Sequence, residues 1–168
     1  ATVLSCVLSE TVFNLICKKK NTIGDLSAVV TGMILALNMP VNLPIWMAVI
    51  GGVFAIVVVK MLFGGLGQNF MNPALTARGI LLASWPVKMT AWYLPTFCKG
   101  VDAVSTATVL GGYEASAMDM FLGFIPGTIG ETCKIALLIG AAYLFVRKVI
   151  SWHIPAAFIG SFAVCYLI

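Results

Sequence analysis

A run of hydroxyl side chains, GVDAVSTATVLG at residues 100–111, contains the residue types best suited to chemistry in this sequence. The run holds one carboxylate and three hydroxyl groups: Asp102, Ser105, Thr106 and Thr108. Such hydroxyl groups can act as nucleophiles or as points of covalent attachment. They also satisfy backbone groups in ordinary Ser/Thr turns, and composition alone favours that structural role.

The elements that must position this run have the composition of a membrane protein. Of the 168 residues, 61% are hydrophobic and 10% are charged, whereas about a quarter of the residues are charged in a soluble domain. We therefore expect an all-α polytopic integral membrane protein whose single transmembrane domain covers residues 1–168. The chain opens on ATVLSCVLSE without an initiator Met, so we also expect a fragment of a longer polypeptide.

Apolar segments separated by basic, Pro-rich or Gly-rich breaks predict the course of the chain. The main segments are residues 1–17, 26–39, 44–63, 72–85, 129–146 and 154 onward, with shorter ones at 86–97 and 117–125. Residues 26–39 and 117–125 are too short to cross about 30 Å of hydrocarbon, which predicts broken or re-entrant half-helices. Overlaying the stretch that ends at Lys60 on the stretch that ends at Lys148 also permits an internal repeat.

Basic residues near the ends of these segments predict the orientation of the chain. Six would lie on the cytoplasmic side, namely Lys18, Lys19, Lys20, Lys60, Arg147 and Lys148, and two on the outer side, namely Lys88 and Lys99. The loop 99–112 is then extracytoplasmic, whereas His153 lies at the opposite face, which disfavours a Ser-His-Asp hydrolase. Arg78 and Lys134 fall within predicted spans, where a cation requires a polar or anionic partner.

Charge and cysteine content exclude two further classes of protein. The net charge of +4 comes mostly from short clusters at segment ends, which is typical of membrane topology rather than of nucleic-acid binding. The five cysteines are scattered without a CxxC spacing, so the sequence predicts neither a metal site nor a disulfide framework.

The stretch from Asp102 to Thr108, DAVSTAT, resembles the D-x-x-S/T-x-A-T signature at which a flavin transferase attaches FMN to the final threonine. Two other stretches agree with the same family: FGGLGQNFMNPALTARGILLASWP at 63–86 and PGTIGETCKIALLIG at 126–140. Together they are similar to the family that comprises the D subunit of the Rnf complex and the B subunit of the sodium-pumping NADH:quinone reductase. The overall run of residues favours the Rnf branch.

This resemblance implies FMN joined to Thr108 through a phosphoester, which leaves the isoalloxazine ring free to exchange electrons. Asp102 and Ser105 would serve recognition by the transferase, with Ala107 completing the motif. The position before Ala107 is commonly Gly in the family and is Thr106 here, so attachment to Thr106 stays open.

The resemblance also implies a second, non-covalent flavin, riboflavin, lined by Asn69 and Asn72. The alternative for Asn72 is an N-cap, since Pro73 follows it at the favoured first helical position. Arg78 could balance the charge of a phosphate or of a reduced flavin. Glu131 with Thr132 could contact an ion or cap the helix that begins there.

The function implied is that of a membrane subunit of an electron-transport-driven Na⁺ or H⁺ pump, a ferredoxin:NAD⁺ oxidoreductase, without a complete active site of its own. The implied fold is similar to that of urea transporters. The implied partners are other Rnf subunits, including iron–sulfur subunits and a second subunit with covalent FMN, a flavin transferase, and the lipid bilayer of a bacterial inner membrane. Two alternatives remain: the B subunit of the quinone reductase, and a solute channel or transporter without redox function.

Overall fold

The computed structural model describes residues 1–20, 22–93, 105–106, 112 and 114–167. Within these residues the helices are α1 Thr2–Ile16, α2 Ser27–Leu37, α3 Ile45–Val53, α4 Pro73–Ser84, α5 Pro86–Met89, α6 Ala117–Leu122, α7 Lys134–Val146 and α8 His153–Leu167. A 3-10 turn, Ile23–Asp25, precedes α2, and a π-helical segment, Phe54–Met61, continues α3. The predicted helical class is confirmed, apart from the two-residue strands β1 Trp92–Tyr93 and β2 Ser105–Thr106.

Four helices and the π-helical segment pack together in the first half of the chain. Helix α1 lies against α2, α3 and the π-helical segment, and α4 packs on the other side of α3. One apolar cluster, around Leu35, Ala55 and Leu81, joins α2 and α4 to the π-helical segment, and a second lies around Cys6 and Ile56. Among the described residues, no single helix combines the length and apolar character needed to cross a membrane.

The contact between α1 and α2 depends on a close approach at Gly32. A Cβ atom added there would lie 2.7 Å from the backbone Cα of Val3, which cannot rotate away. Only hydrogen fits at this point, so the two helices approach each other more closely than a side chain would permit.

Replacing Gly32 with Ala should therefore destabilise the protein by about 1–3 kcal/mol, because α1 would have to shift. The matched control is Gly79→Ala in α4, where no described atom outside the helix lies within 4 Å of the added Cβ and where Ala should favour the helix by about 0.5–1 kcal/mol. The midpoint of thermal unfolding of the detergent-solubilised protein measures both effects. Equal midpoints for the two variants would show that the approach at Gly32 is not tight.

The predicted span 44–63 differs from the structure in its hydrogen bonding. The α-helical pattern ends at Val53, and the next two turns are π-helical, as in the bond from the Leu62 N–H to the Val57 carbonyl at 3.1 Å. The amide of Asn69, oriented as its neighbours require, donates to the Val59 and Lys60 carbonyls at 3.1 Å each. The Asn69 side chain thus donates to carbonyls at the end of the π-helical segment, which is compatible with the wider π-helical turn. Such π-helical turns are often found at functional sites.

The second half of the chain corrects the expected position of Lys134. The predicted segment 129–146 becomes helical only at Lys134, whose ammonium group donates to the Glu131 carbonyl at 2.7 Å. Lys134 thus begins α7 instead of lying within a helix. The suggested repeat stays a prediction; of its paired glycines, Gly52 packs against α1, whereas no described atom outside the helix lies within 4 Å of a Cβ added at Gly140.

Candidate functional site

Part of the hydroxyl run pairs with the segment that follows α5. Strands β1 and β2 are antiparallel, with Trp92 opposite Thr106 and Tyr93 opposite Ser105. The backbone at Ser105 and Thr106 is thereby tied to the end of the α4–α5 region. Asp102, Ala107 and Thr108 lie outside the described residues, so their part in the site remains a prediction from the sequence.

Asn69 is hydrogen-bonded both to the π-helical segment and to the glycine-rich turn that follows it. Its amide nitrogen donates to three backbone carbonyls: Val59 and Lys60 at 3.1 Å, and Gly65 at 3.2 Å. Phe63 and Phe70 flank this turn and meet edge to face, with ring centroids 4.7 Å apart. Asn69 therefore fixes the turn by its nitrogen, while both neighbouring rings are exposed.

Asn72 is the N-cap of α4, which confirms the structural interpretation of this residue. Its side-chain oxygen accepts from the backbone N–H groups of Ala74 at 3.0 Å and Leu75 at 3.3 Å, and Pro73 occupies the first helical position. These bonds satisfy two donors that the first turn of a helix leaves free. The bonds use the amide oxygen.

Removal of this cap gives a testable separation of roles. Asn72→Ala should cost about 0.5–2 kcal/mol of stability, whereas Asn72→Asp keeps the capping oxygen and should cost little. Thermal unfolding of both variants checks the difference. An Asp variant as unstable as the Ala variant would show that the amide nitrogen, rather than the cap, is what the fold requires.

Arg78 contacts an amide instead of an acid. The half-buried guanidinium donates to the side-chain oxygen of Asn38 at 3.3 Å, across the interface between α4 and the end of α2. Asn38 in turn donates to the Ile34 carbonyl at 2.8 Å. A neutral partner leaves the positive charge of Arg78 uncompensated by this contact.

The proposed cap at Glu131 and Thr132 is wrong. Helix α7 begins at Lys134 with Cys133 as its N-cap, and no side chain accepts a hydrogen bond from its first turn. The Glu131 carboxylate instead accepts from the Thr128 hydroxyl at 3.2 Å. The helix starts later than expected because residues 129–133 form turns.

The most strongly polar buried cluster joins α1 to the π-helical segment, and local sequence patterns did not predict it. The Lys60 ammonium group lies 3.0 Å from each carboxylate oxygen of Glu10 and 2.5 Å from the Ser27 hydroxyl. The Thr22 hydroxyl also donates to Glu10. Glu10 is 0% exposed and Lys60 is 2% exposed, so both charges depend on these partners.

A cavity of about 250 Å³ opens beside this ion pair. Its lining includes Glu10, Lys60, Asn14, Lys19, Lys20 and Asp25. Asn14 is 5% exposed, and its amide nitrogen donates to the Thr22 hydroxyl at 3.1 Å, while its side-chain oxygen has no hydrogen-bond partner among the described residues. A buried acceptor without a donor indicates a place for water or for a small polar ligand.

Asp25 lies at the rim of this cavity, just before α2. Hydrogen bonds from the hydroxyl and the backbone N–H of Ser27 lower the pKa of this carboxyl. Ser27 also contacts Lys60, so the rim and the buried ion pair share one hydroxyl group. The cavity therefore presents carboxylates, ammonium groups and a free amide oxygen within one polar region.

The cluster connects to the predicted flavin segment through the backbone. Asn69 donates to the carbonyl of Lys60, the same residue whose side chain binds Glu10. The Asn69 side chain and the buried ion pair are therefore linked through one residue, Lys60. Within the described part of the chain, no three His, Cys, Asp or Glu side chains come together as metal ligands.

Comparison with known proteins places this chain in a family. The model of the "NQR2, RnfD, RnfE family" matches residues 1–168. The D subunit of the Na⁺-translocating ferredoxin:NAD⁺ oxidoreductase complex of Acetobacterium woodii is 47% identical, over 99% of this chain and 54% of its own length. The D subunit of the proton-translocating complex of Clostridium ljungdahlii is 40% identical, over 95% of this chain and 52% of its own length.

A relative from the other branch matches less of the chain. The B subunit of the Na⁺-translocating NADH-quinone reductase of Chromohalobacter salexigens is 41% identical, over 74% of this chain and 32% of its own length. The chain spans about half the length of the two ferredoxin:NAD⁺ oxidoreductase relatives named above. With its whole length matched, the chain belongs to the NQR2, RnfD, RnfE family.

Proposed function

We propose that this chain is part of the D subunit of an ion-translocating ferredoxin:NAD⁺ oxidoreductase and relays electrons through FMN bound to Thr108. The observation that carries the proposal is the DAVSTAT motif at residues 102–108 in a chain 47% identical to such a subunit. The phosphoester fixes the position of the flavin, and the free ring exchanges electrons with neighbouring cofactors.

The Rnf branch is supported over the quinone-reductase branch by coverage. The relative from Acetobacterium woodii matches 99% of the chain, whereas the quinone-reductase relative matches 74%. The names of the two ferredoxin:NAD⁺ oxidoreductase relatives differ in the ion, Na⁺ in one and protons in the other. We therefore assign the redox partners, ferredoxin and NAD⁺, and leave the ion to experiment.

A membrane location is supported by the composition and by the surface of the described residues. Large apolar side chains such as Ile154, Phe158 and Phe162 on α8 are 75%, 73% and 66% exposed. A surface of this kind is stable when lipid or other apolar protein covers it. We propose a multi-pass protein of the bacterial inner membrane with its attachment loop outside the cytoplasm.

The non-covalent flavin would lie near the glycine-rich turn. The exposed Phe63 and Phe70 rings could contact a flat ligand there, while the Asn69 nitrogen holds the turn. Arg78, whose described partner is neutral, could balance the charge of a reduced flavin or of a phosphate. Riboflavin is the ligand we propose.

Flavin fluorescence of denatured protein tests the electron-relay proposal. The full-length protein, produced together with a flavin transferase, should give a fluorescent band on a denaturing gel, and so should Thr106→Ala. The band should disappear in Thr108→Ala, since only a covalent flavin survives denaturation. A dark band for the wild-type protein under these conditions would contradict the proposal and favour a transporter without redox function.

A further inference from the structure

A second surface, on the opposite side of α1 from Glu10, forms an apolar groove of about 360 Å³ between α1, the end of α3 and the π-helical segment. Its lining consists of Leu8, Ser9, Val12, Phe13, Ile16, Val53 and Val57. The hydroxyl of Ser9 donates to the Ser5 carbonyl at 2.6 Å, so it needs no partner in the groove. The surface therefore presents hydrocarbon without an unsatisfied polar group.

The groove follows a row of apolar side chains along α1. Leu8, Val12 and Ile16 recur every four residues, which places them on one face of the helix. At 1.5 Å per residue this row extends for about 12 Å. Half of the hydrocarbon thickness of a bilayer is about 15 Å, so a groove of this length suits an acyl chain of a single leaflet.

Three lysines follow α1 in the sequence, two to four residues after Ile16. Helix α1 ends at Ile16, and two residues later Lys18 adopts a left-handed conformation with φ 49°. The backbone N–H of Lys19 donates a hydrogen bond to the Asn14 carbonyl at 3.0 Å. The Lys19 ammonium group lies 5.5 Å from the centre of the Phe13 ring, which is part of the groove wall. Lys18, Lys19 and Lys20 are all exposed; Lys19 and Lys20 also line the polar cavity that contains Glu10 and Asp25, whereas no described carboxylate lines the groove.

We propose that this surface binds an anionic diacyl phospholipid, with one acyl chain in the groove and the headgroup phosphate at Lys18, Lys19 and Lys20. The inference rests on the membrane location in the proposed function. Charge complementarity selects the headgroup, because clustered lysines at a membrane surface favour anionic over zwitterionic lipids. The apolar groove adds a contact that lysines alone do not provide, and so predicts a bound lipid at a defined position.

Photo-crosslinking tests this site in the purified complex, reconstituted into nanodiscs. The probes are phosphatidylglycerol and phosphatidylcholine, each carrying a diazirine in one acyl chain. Peptides covering residues 8–16 and 53–57 should be labelled by phosphatidylglycerol about tenfold more than by phosphatidylcholine. Equal labelling by the two lipids would overturn the proposal.

Three variants separate the headgroup site from the groove. Replacing Lys18, Lys19 and Lys20 together with Gln should bring the two probes close to equal labelling, whereas Val12→Trp should reduce labelling by both. The matched control replaces Arg147 and Lys148 with Gln, because Lys148 ends α7 in the same left-handed conformation, with φ 54°, and should change nothing. Labelling that persists unchanged in the lysine variant would contradict the headgroup site.

The remaining alternative is that a polypeptide, rather than a lipid, covers the groove. Benzoylphenylalanine in place of Leu8 should cross-link to lipid, and a cross-link to protein instead would overturn the proposal. The covalent flavin content of each variant shows whether it has matured. An unlabelled groove in a protein that carries FMN contradicts only the lipid site, whereas a labelled groove without FMN contradicts only the electron relay.

Discussion

Replacing Lys60 with Met should destabilise the protein by about 3–5 kcal/mol, because the Glu10 carboxylate would stay buried without its counter-charge. Among the described residues, Glu10 would keep only the hydrogen bond from Thr22. For a chain of this size the loss corresponds to a fall of about 6–20 °C in the midpoint of thermal unfolding. Tryptophan fluorescence of the detergent-solubilised protein during heating measures the change.

The double variant Glu10→Gln with Lys60→Met is the control for this prediction. It removes both charges and keeps an oxygen to accept from Thr22, so it should recover much of the stability lost in Lys60→Met. The surface variant Lys88→Met should change little. A Lys60→Met protein as stable as the wild type would mean that the two groups are not an ion pair in the folded protein.

Thr108→Ala should abolish ferredoxin-dependent NAD⁺ reduction by membranes that contain the complex. Without the hydroxyl no phosphoester forms, and the proposed electron path loses one of its cofactors. Complex assembly should remain intact, because the substitution removes only a hydroxyl and a methyl group from one side chain. The measurement is NAD⁺ reduction with reduced ferredoxin, normalised to the amount of assembled complex.

Thr106→Ala is the matched control, since it removes the neighbouring hydroxyl from the same motif. It should keep most of the activity. Its position in β2, opposite Trp92, is held by backbone hydrogen bonds that Ala can also make. Activity lost in Thr106→Ala and kept in Thr108→Ala would move the attachment site to Thr106.

Local sequence signals predicted three of the four helices that pack together in the first half of the chain. Apolar runs bounded by lysines or prolines placed α1, α2 and α4 within two residues of their observed ends. The N-cap at Asn72 also followed from sequence, because an Asn-Pro pair before an apolar run is a local signal. These features depend on neighbours along the chain.

The buried ion pair could not be read in the same way. Lys60 stands just before a glycine-rich turn, so it has the pattern of a basic residue at the end of a span, and its burial depends on α1 and α2 packing over it. Glu10 did carry a signal, since it is the single carboxylate in the apolar run 1–17. A carboxylate at such a position requires a partner as much as a buried cation does, but the sequence does not show which cation provides it.

The π-helical segment and the strand pair were missed for a related reason. Both depend on residues distant in the chain or on a turn: Asn69 reaches back to Val59 and Lys60, and Trp92 pairs with Thr106. Hydrophobic periodicity carries no information on such contacts.

The central claim, FMN on Thr108, is tested most directly by peptide mass spectrometry of the full-length protein produced together with its flavin transferase. We predict an added FMN mass on the peptide that contains Thr108, with fragment ions that assign it to this residue. The mass should be absent from Thr108→Ala and present in Thr106→Ala. An unmodified peptide from the wild-type protein under these conditions would contradict the account.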